Sequence, residues 1–128
     1  MSSAFPPKVV VCVGAVVLKG ATVLFVRQAY GGLKGTWSIP WGFYEGRTPE
    51  GDTESPESAA LREAREEAGI EAQIVGFLGV QNHARSDGEG TVYLIFLCQH
   101  VAGEPQADSQ ETDRAAYLSL AQMDALDE

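Results

Sequence analysis

The sequence predicts an α/β fold, and three observations carry that prediction. Two Val-rich runs without helical periodicity, VVVCVGAVVL at 9–18 and ATVLFVRQ at 21–28, read as strands. A helix over about residues 56–68 is framed by Ser55-Pro56 at its start and Gly69 at its end. Two more strand-like runs follow it, IEAQIVGFLGVQNHA and TVYLIFLCQHV. With 128 residues, 45% of them hydrophobic, the chain is long enough for one domain with a core and too short for two. The expectation is a single domain over 1–128, with 1–8 as a loose lead-in.

Taken in order, MSSAFPPK leads into the first strand, and Lys19-Gly20 makes the tight turn to the second. The first run has a signal-like apolar stretch, but only Lys8 precedes it and no small-residue cleavage site follows. Its ten residues are also too few to span a bilayer. A soluble, untargeted, cytoplasmic protein is expected. From Ala29 to Glu54 the density of Gly, Pro and aromatics predicts loops around one short strand near Trp37 to Pro40. After the helix the two strand runs are separated by the polar loop RSDGEG. A loop rich in Gly, Pro and acids then leads to a short closing helix from about Ser119 to Leu126. Cys12 and Cys98 lie in apolar runs without metal-ligand spacing and read as buried thiols in a reducing compartment.

Eighteen acids against nine bases give a formal charge of -9. Nonspecific attachment to a nucleic-acid polymer or an anionic membrane needs a basic footprint, so both are disfavoured, and an anionic ligand would need help from a cation. Residues 45–71 hold nine acids against three bases, and so carry -6 of that charge.

Much of it sits in LREAREEAGI. On a helix Glu63, Glu66 and Glu67 project within an arc of roughly 100°, bordering an apolar face of Ala60, Leu61, Ala64 and Ala68. Like charges at these offsets cost about a few tenths of a kcal/mol per pair, and only Arg62, four residues before Glu66, offsets them. Helix stability therefore does not explain the cluster. Two readings stand side by side on the helix alone: a solvated acidic face, or an all-oxygen platform for a hard divalent ion such as Mg²⁺. A Ca²⁺ module is disfavoured because no Asp-x-Asp-x-Asp-Gly loop is present.

Glu54, seven residues, and then Arg62-Glu63-Ala64-Arg65-Glu66-Glu67-Ala68-Gly69-Ile70 resembles the second part of the Nudix box at every fixed position. That box opens with a glycine, five residues and then its first glutamate. The matching glycine here is Gly42, with eleven residues between it and Glu54, so six residues within Gly46 to Thr53 look inserted. The likeness extends to Val23-Leu24-Phe25-Val26-Arg27 and to Gly35-Thr36-Trp37-Ser38-Ile39-Pro40, and covers nearly all of residues 9–126.

The resemblance implies a Nudix-like α/β/α sandwich with a mixed sheet between helices. It further implies Mg²⁺-dependent hydrolysis, with Mn²⁺ as a substitute ion, of a nucleoside diphosphate linked to another moiety. Glu66 and Glu67 are then the first metal ligands, and Glu63 is a third ligand or activates water. Trp41, standing where the family has a glycine, offers a backbone carbonyl to the metal. Glu54 either completes the metal shell or is a plain capping charge at the helix N-terminus. Arg62 resembles the box arginine and is expected to hold glutamates in place. Glu111, six residues before Tyr117, resembles the family's late acidic residue that binds metal or activates water.

Arg27, at a strand end, is a candidate phosphate contact, with Arg47 and Arg85 as further loop arginines. Trp37, Trp41, Phe43 and Tyr44 are candidates for stacking on a base, with Trp37 expected in the core instead. His83 and His100 lack partners at motif spacing and stay outside the site. The partner implied is a small nucleotide: a nucleoside triphosphate, ADP-ribose or a nucleotide sugar, with the reading leaning towards a small nucleotide or nucleotide sugar. A homodimer is also admitted, since many small relatives pair. The alternative is a noncatalytic Nudix-like module that binds a nucleotide or a protein. The insertion favours it; intact Glu63, Glu66 and Glu67 oppose it.

Overall fold

The computed structural model describes residues 8–84 and 90–126. The candidate Arg85, nearly all of the polar loop around it, and all of the lead-in but Lys8 lie outside them. In chain order the elements are β1 (Val9–Lys19), β2 (Thr22–Gln28), β3 (Trp37–Ser38), β4 (Trp41–Phe43), α1 (Pro56–Ala68), β5 (Glu71–Ala84), β6 (Gly90–Ala102), β7 (Thr112–Leu118) and α2 (Leu120–Leu126).

The seven strands make one mixed sheet, ordered β3-β2-β1-β6-β5, with β4 pairing β1 and β7 pairing β2. β1 and β6 run parallel from Val9 opposite Gly90 to Leu18 opposite Gln99, and the other ladders are antiparallel. The β1-β2 hairpin pairs only at its closed end, Leu18 with Val23 and Lys19 with Thr22. Beyond that the two strands part, and β4 enters beside β1 at Cys12 to Gly14. This opening brings the Gly-rich segment before α1 into the sheet.

Strand side chains alternate between faces, so Val13, Ala15 and Val17 of β1, Leu24 and Val26 of β2, and Phe96 and Cys98 of β6 form one buried layer. α1 covers it through Ala59, Ala60, Ala64 and Ala68, all fully buried, and these small side chains let the helix axis sit close to the sheet. Phe25 points the other way and meets Met123 and Leu126 of α2 together with Trp37. The two helices therefore lie on opposite faces. Trp37, expected in the core, is instead half-buried and lines a gap beside α2, outside the residues packed against the core. Both cysteines are buried, and burial pushes the Cys98 thiol up to about 11. No helix among the described residues is long and apolar enough to cross a membrane.

α1 has the boundaries that its caps predict. Ser55 Oγ accepts from the Ser58 N–H at 3.1 Å, Pro56 stands in the first turn, and Gly69 turns left-handed at φ 68°. Two strands escape the sequence reading. β4 lies where a loop is expected, and β7 occupies what reads as the end of an acidic loop; both are short and held by distant partners, β1 and β2.

Candidate active site

One cleft, about 320 Å³ in volume, opens where β4 passes the middle of α1. Its described lining includes five glutamates, Glu45, Glu63, Glu66, Glu67 and Glu111, and a single base, Arg62. Gln28, Tyr30, Trp41, Gly42 and Phe43 complete the wall.

The helix does not present its acids to solvent as one face. Glu67 is only 2% exposed and Glu63 8%, whereas Glu66 stays exposed. The fully solvated reading therefore fails for two of the three. Burying a carboxylate is costly unless something compensates, and here the Glu63 and Glu67 carboxyls lie within hydrogen-bonding reach of each other. Burial raises both, and it pushes Glu67 up to about 10, with the Glu63 and Glu111 charges adding to the effect. The Trp41 backbone N–H donates to Glu67 Oε2 at 3.2 Å and opposes that rise.

Gly42 has a steric reason to be glycine. A Cβ there would collide with the Glu63 carboxylate, which lies directly over the β4 backbone. The glycine that the box places before its glutamates is thus the floor on which Glu63 rests.

Arg62 organises the remaining carboxylates. Its Nε and Nη2 grip both oxygens of Glu54 at 2.9 and 3.1 Å, and its Nη1 reaches Glu66 at 2.8 and 3.1 Å and Glu63 at 3.3 Å. A planar fork with this many charge-assisted bonds fixes three acids from one side chain, and its own pKa is raised above the ordinary arginine value, with the Glu54 hydrogen bond the leading cause. Glu54 is 4% exposed, stands behind Arg62 and outside the cleft wall, and Ser55 rather than Glu54 is the cap. Its backbone carbonyl accepts from the Tyr44 hydroxyl at 2.8 Å.

Glu111 comes from the far side. Asp108 Oδ1 accepts from the N–H groups of Gln110, Glu111 and Thr112 at 2.8 to 3.0 Å, which folds that loop tightly. Fully buried Thr112 then donates from Oγ1 to the Glu67 carbonyl at 2.9 Å, tying the start of β7 to α1. Neither residue was singled out from the sequence; the only signal was an Asp four positions before a Thr, a common turn pattern.

Three sequence candidates stand elsewhere. Arg27 makes a bidentate pair with Asp113 at 2.8 and 3.0 Å and does not line the cleft. Tyr44 packs against the core and spends its hydroxyl on Glu54, while exposed Phe43 and Tyr30 take the place on the wall expected for it. Arg47 flanks the cleft without lining it. His83 is exposed on β5, and His100 Nδ1 is 2.6 Å from the Tyr117 hydroxyl, away from the acids.

Among the described residues no three acids are already arranged around a common metal position. The donors nonetheless fit a hard divalent cation: all are carboxylate oxygens, burial raises the pKa of the Glu63–Glu67 pair for want of nearby positive charge, and the only base lining the cleft is saturated by three acids. A cation entering here would displace a proton from that pair.

Comparison with known proteins agrees with this architecture. The model of the NUDIX domain family matches residues 8–128. A MutT-like protein of Streptomyces ambofaciens is 32% identical over 99 residues, covering 77% of this chain and 56% of the relative. An ADP-ribose pyrophosphatase of Methanocaldococcus jannaschii is 28% identical over 106 residues, covering 80% of this chain and 59% of the relative. The chain thus spans under three fifths of the length of either. A solved structure of a NUDIX hydrolase from Nitrosomonas europaea superposes with a TM-score of 0.78 at 26% identity, covering 94% of this chain and 78% of that one.

Proposed function

The chain belongs to the Nudix family, and from that premise we propose that it is a Mg²⁺-dependent hydrolase of a nucleoside diphosphate linked to another moiety. One observation carries the reading: a cleft with five glutamates and one saturated arginine admits a pyrophosphate only when cations accompany it. The likeness to a protein named ADP-ribose pyrophosphatase supports the substrate class.

Glu63, Glu66 and Glu67 would hold the metal, with the Trp41 backbone carbonyl as a further donor and Mn²⁺ as a substitute ion. When bound, the metal neutralises phosphate charge and lowers the pKa of its water. Arg62 keeps Glu66 and Glu63 in place, and Glu54 holds Arg62. Glu111, pinned across the cleft by Asp108, takes the proton of the attacking water. The new bond forms between that water's oxygen and phosphorus, and the bridging P–O bond breaks as the second phosphate departs. Phe43, Tyr30 and Trp41 offer aromatic faces to the base.

The test is turnover, with and without Mg²⁺, of nucleoside triphosphates, ADP-ribose and nucleotide sugars, repeated on Glu66→Gln and Glu67→Gln. Metal-dependent cleavage by the wild type, lost by at least about a hundredfold in both variants, is expected. Nucleotide binding without cleavage would instead support a noncatalytic module. A cytoplasmic location and a homodimer belong to the same proposal. A second copy would cover the exposed Val75, Phe77, Leu78 and Val80 of β5, and sedimentation of the chain against its Phe77→Glu variant tests that.

A further inference from the structure

Glu111 enters the cleft immediately before β7, beside a fault in the pairing of that strand with β2. Val26 lies opposite Ala115 and Arg27 opposite Arg114, but Gln28 lies opposite Thr112, so Asp113 is an extra residue with no partner in the β2 ladder. Such a β-bulge bends its strand and re-aims the side chains beyond it. Ala115 and Tyr117 pack against the α1 side of the sheet, and strict alternation would turn Asp113 to that side as well. The extra residue shifts the phase by one. Fully buried Thr112 therefore faces α1 and bonds the Glu67 carbonyl, while Asp113 stays exposed.

Arg27 grips that bulge from β2. Its Nε and Nη2 take both oxygens of Asp113, at 2.8 and 3.0 Å, which is a planar two-bond clamp on the one residue that the ladder passes over. An exposed ion pair contributes little to stability, so holding the fold together does not account for this geometry. Just past the clamp the two chains meet again, where the Ala29 N–H donates to the Glu111 carbonyl at 2.9 Å. Gln28 and Tyr30, on either side of Ala29, line the cleft together with Glu111. The Asp108 turn fixes the other flank, with Ser109 left-handed at φ 69° and its N–H bonded to the Thr112 carbonyl at 2.9 Å.

The place of the Glu111 carboxylate follows from where the bulge leaves the main chain of residues 111 and 112. We propose that Arg27 and Asp113 are positioning residues, whose pair locks the bulge so that Glu111 stands in the cleft where it takes the proton of the attacking water. This role rests on the hydrolase reading, and it takes Arg27 away from the phosphate contact that its strand-end place suggests. A phosphate contact would require Arg27 to leave Asp113 and turn into a cleft that it does not line. The two readings differ most at Asp113. If Arg27 bound phosphate, removing the Asp113 charge would free it for that task; if the pair positions Glu111, removing either partner does the same damage.

The experiment uses Arg27→Gln, Asp113→Asn and Arg27→Lys. Backbone hydrogen exchange of the metal-free chains reads the Ala29 amide, with the α1 amides as internal reference, and turnover of ATP, dGTP, ADP-ribose and UDP-glucose in Mg²⁺ reads the consequence. In both Arg27→Gln and Asp113→Asn, Ala29 exchange is expected to quicken about tenfold and kcat to fall about tenfold, with KM changed less than about twofold. Their melting temperatures should stay within about 4 °C of the wild type, and Arg27→Lys, which keeps the charge without the fork, should fall between. In a Glu111→Gln background Arg27→Gln should cost nothing further, because it acts through a group already removed. A raised KM in Arg27→Gln with Asp113→Asn at or above wild-type turnover overturns the proposal and returns Arg27 to the phosphate. Ala29 exchange unchanged in both variants, or the full kcat loss repeated in the Glu111→Gln background, overturns it too. Unchanged kcat in the variants of an active wild type removes the positioning role alone, whereas a wild type that cleaves none of the four nucleotides removes the hydrolase reading with it.

Discussion

Glu67 is the residue on which most of the site's electrostatics turn. Its folded pKa is raised, so the native chain keeps a proton that the unfolded chain releases above about 4.5. Native protein binding more protons means that stability falls with rising pH: the metal-free chain is most stable below that value and weakens as the pH climbs towards about 10. Allowing for relaxation of a buried pair, the loss between pH 5 and pH 8 is on the order of 1–3 kcal/mol. Urea midpoints at the two pH values should show it, and Glu67→Gln, which mimics the protonated state, should flatten the slope. Arg62 acts the opposite way, by supplying charge. Arg62→Ala leaves Glu54 buried and unpaired and is expected to cost about 3–5 kcal/mol in the same measurement. Gly42→Ala drives a methyl into the Glu63 carboxylate. Overpacking of that kind costs about 1–3 kcal/mol. The larger expected effect is on turnover, at least about a hundredfold, because a small displacement of a reacting group is expensive.

At the scale of elements, α1 is a helix whose ends are fixed locally and whose middle is fixed by distant strands. The local part is worth about 1 kcal/mol at Ser55, which Ser55→Ala should remove without touching turnover per folded molecule. The distant part runs through Thr112, whose hydroxyl holds the Glu67 carbonyl from β7. Thr112→Val keeps the shape and deletes the bond, so a loss of about 1–3 kcal/mol is expected in urea. A drop in kcat with little change in KM is expected beside it, because Glu111 shifts with the start of β7. A proportional fall in both parameters would mean that Thr112 only stabilises the fold.

For the whole molecule, the proposed Mg²⁺ dependence, with a net charge of -9 and acids concentrated around one cleft, would make a bound cation part of the stability of the protein as well as of its chemistry. Millimolar Mg²⁺ should raise the melting temperature, following the mass-action rule for any ligand that binds only the native state. Binding should also release about one proton per chain near pH 7, from the Glu63–Glu67 pair. Calorimetry in two buffers of different ionisation enthalpy reads that proton directly; equal heats in both would disprove the retained proton.

The sequence by itself determined the elements whose signals are local. Ser55-Pro56 and Gly69 set the ends of α1 to the residue, the Val-rich runs set β1 and β2, and the offsets of Glu54, Glu63, Glu66 and Glu67 carried the family. The tertiary structure decided everything that depends on residues far apart in the chain. β4 and β7 exist because β1 and β2 pair with them, which no short aromatic or acidic stretch announces. Glu63 and Glu67 are buried while Glu66 is not, because β4 approaches one side of α1. Arg27 is spent on Asp113 and Tyr44 on Glu54, because a side chain's direction is set by the layer it packs in. The insertion reads in sequence as a disturbance to the box. In three dimensions it is a closed turn that leaves the box intact, since its ends return to within one hydrogen bond of each other.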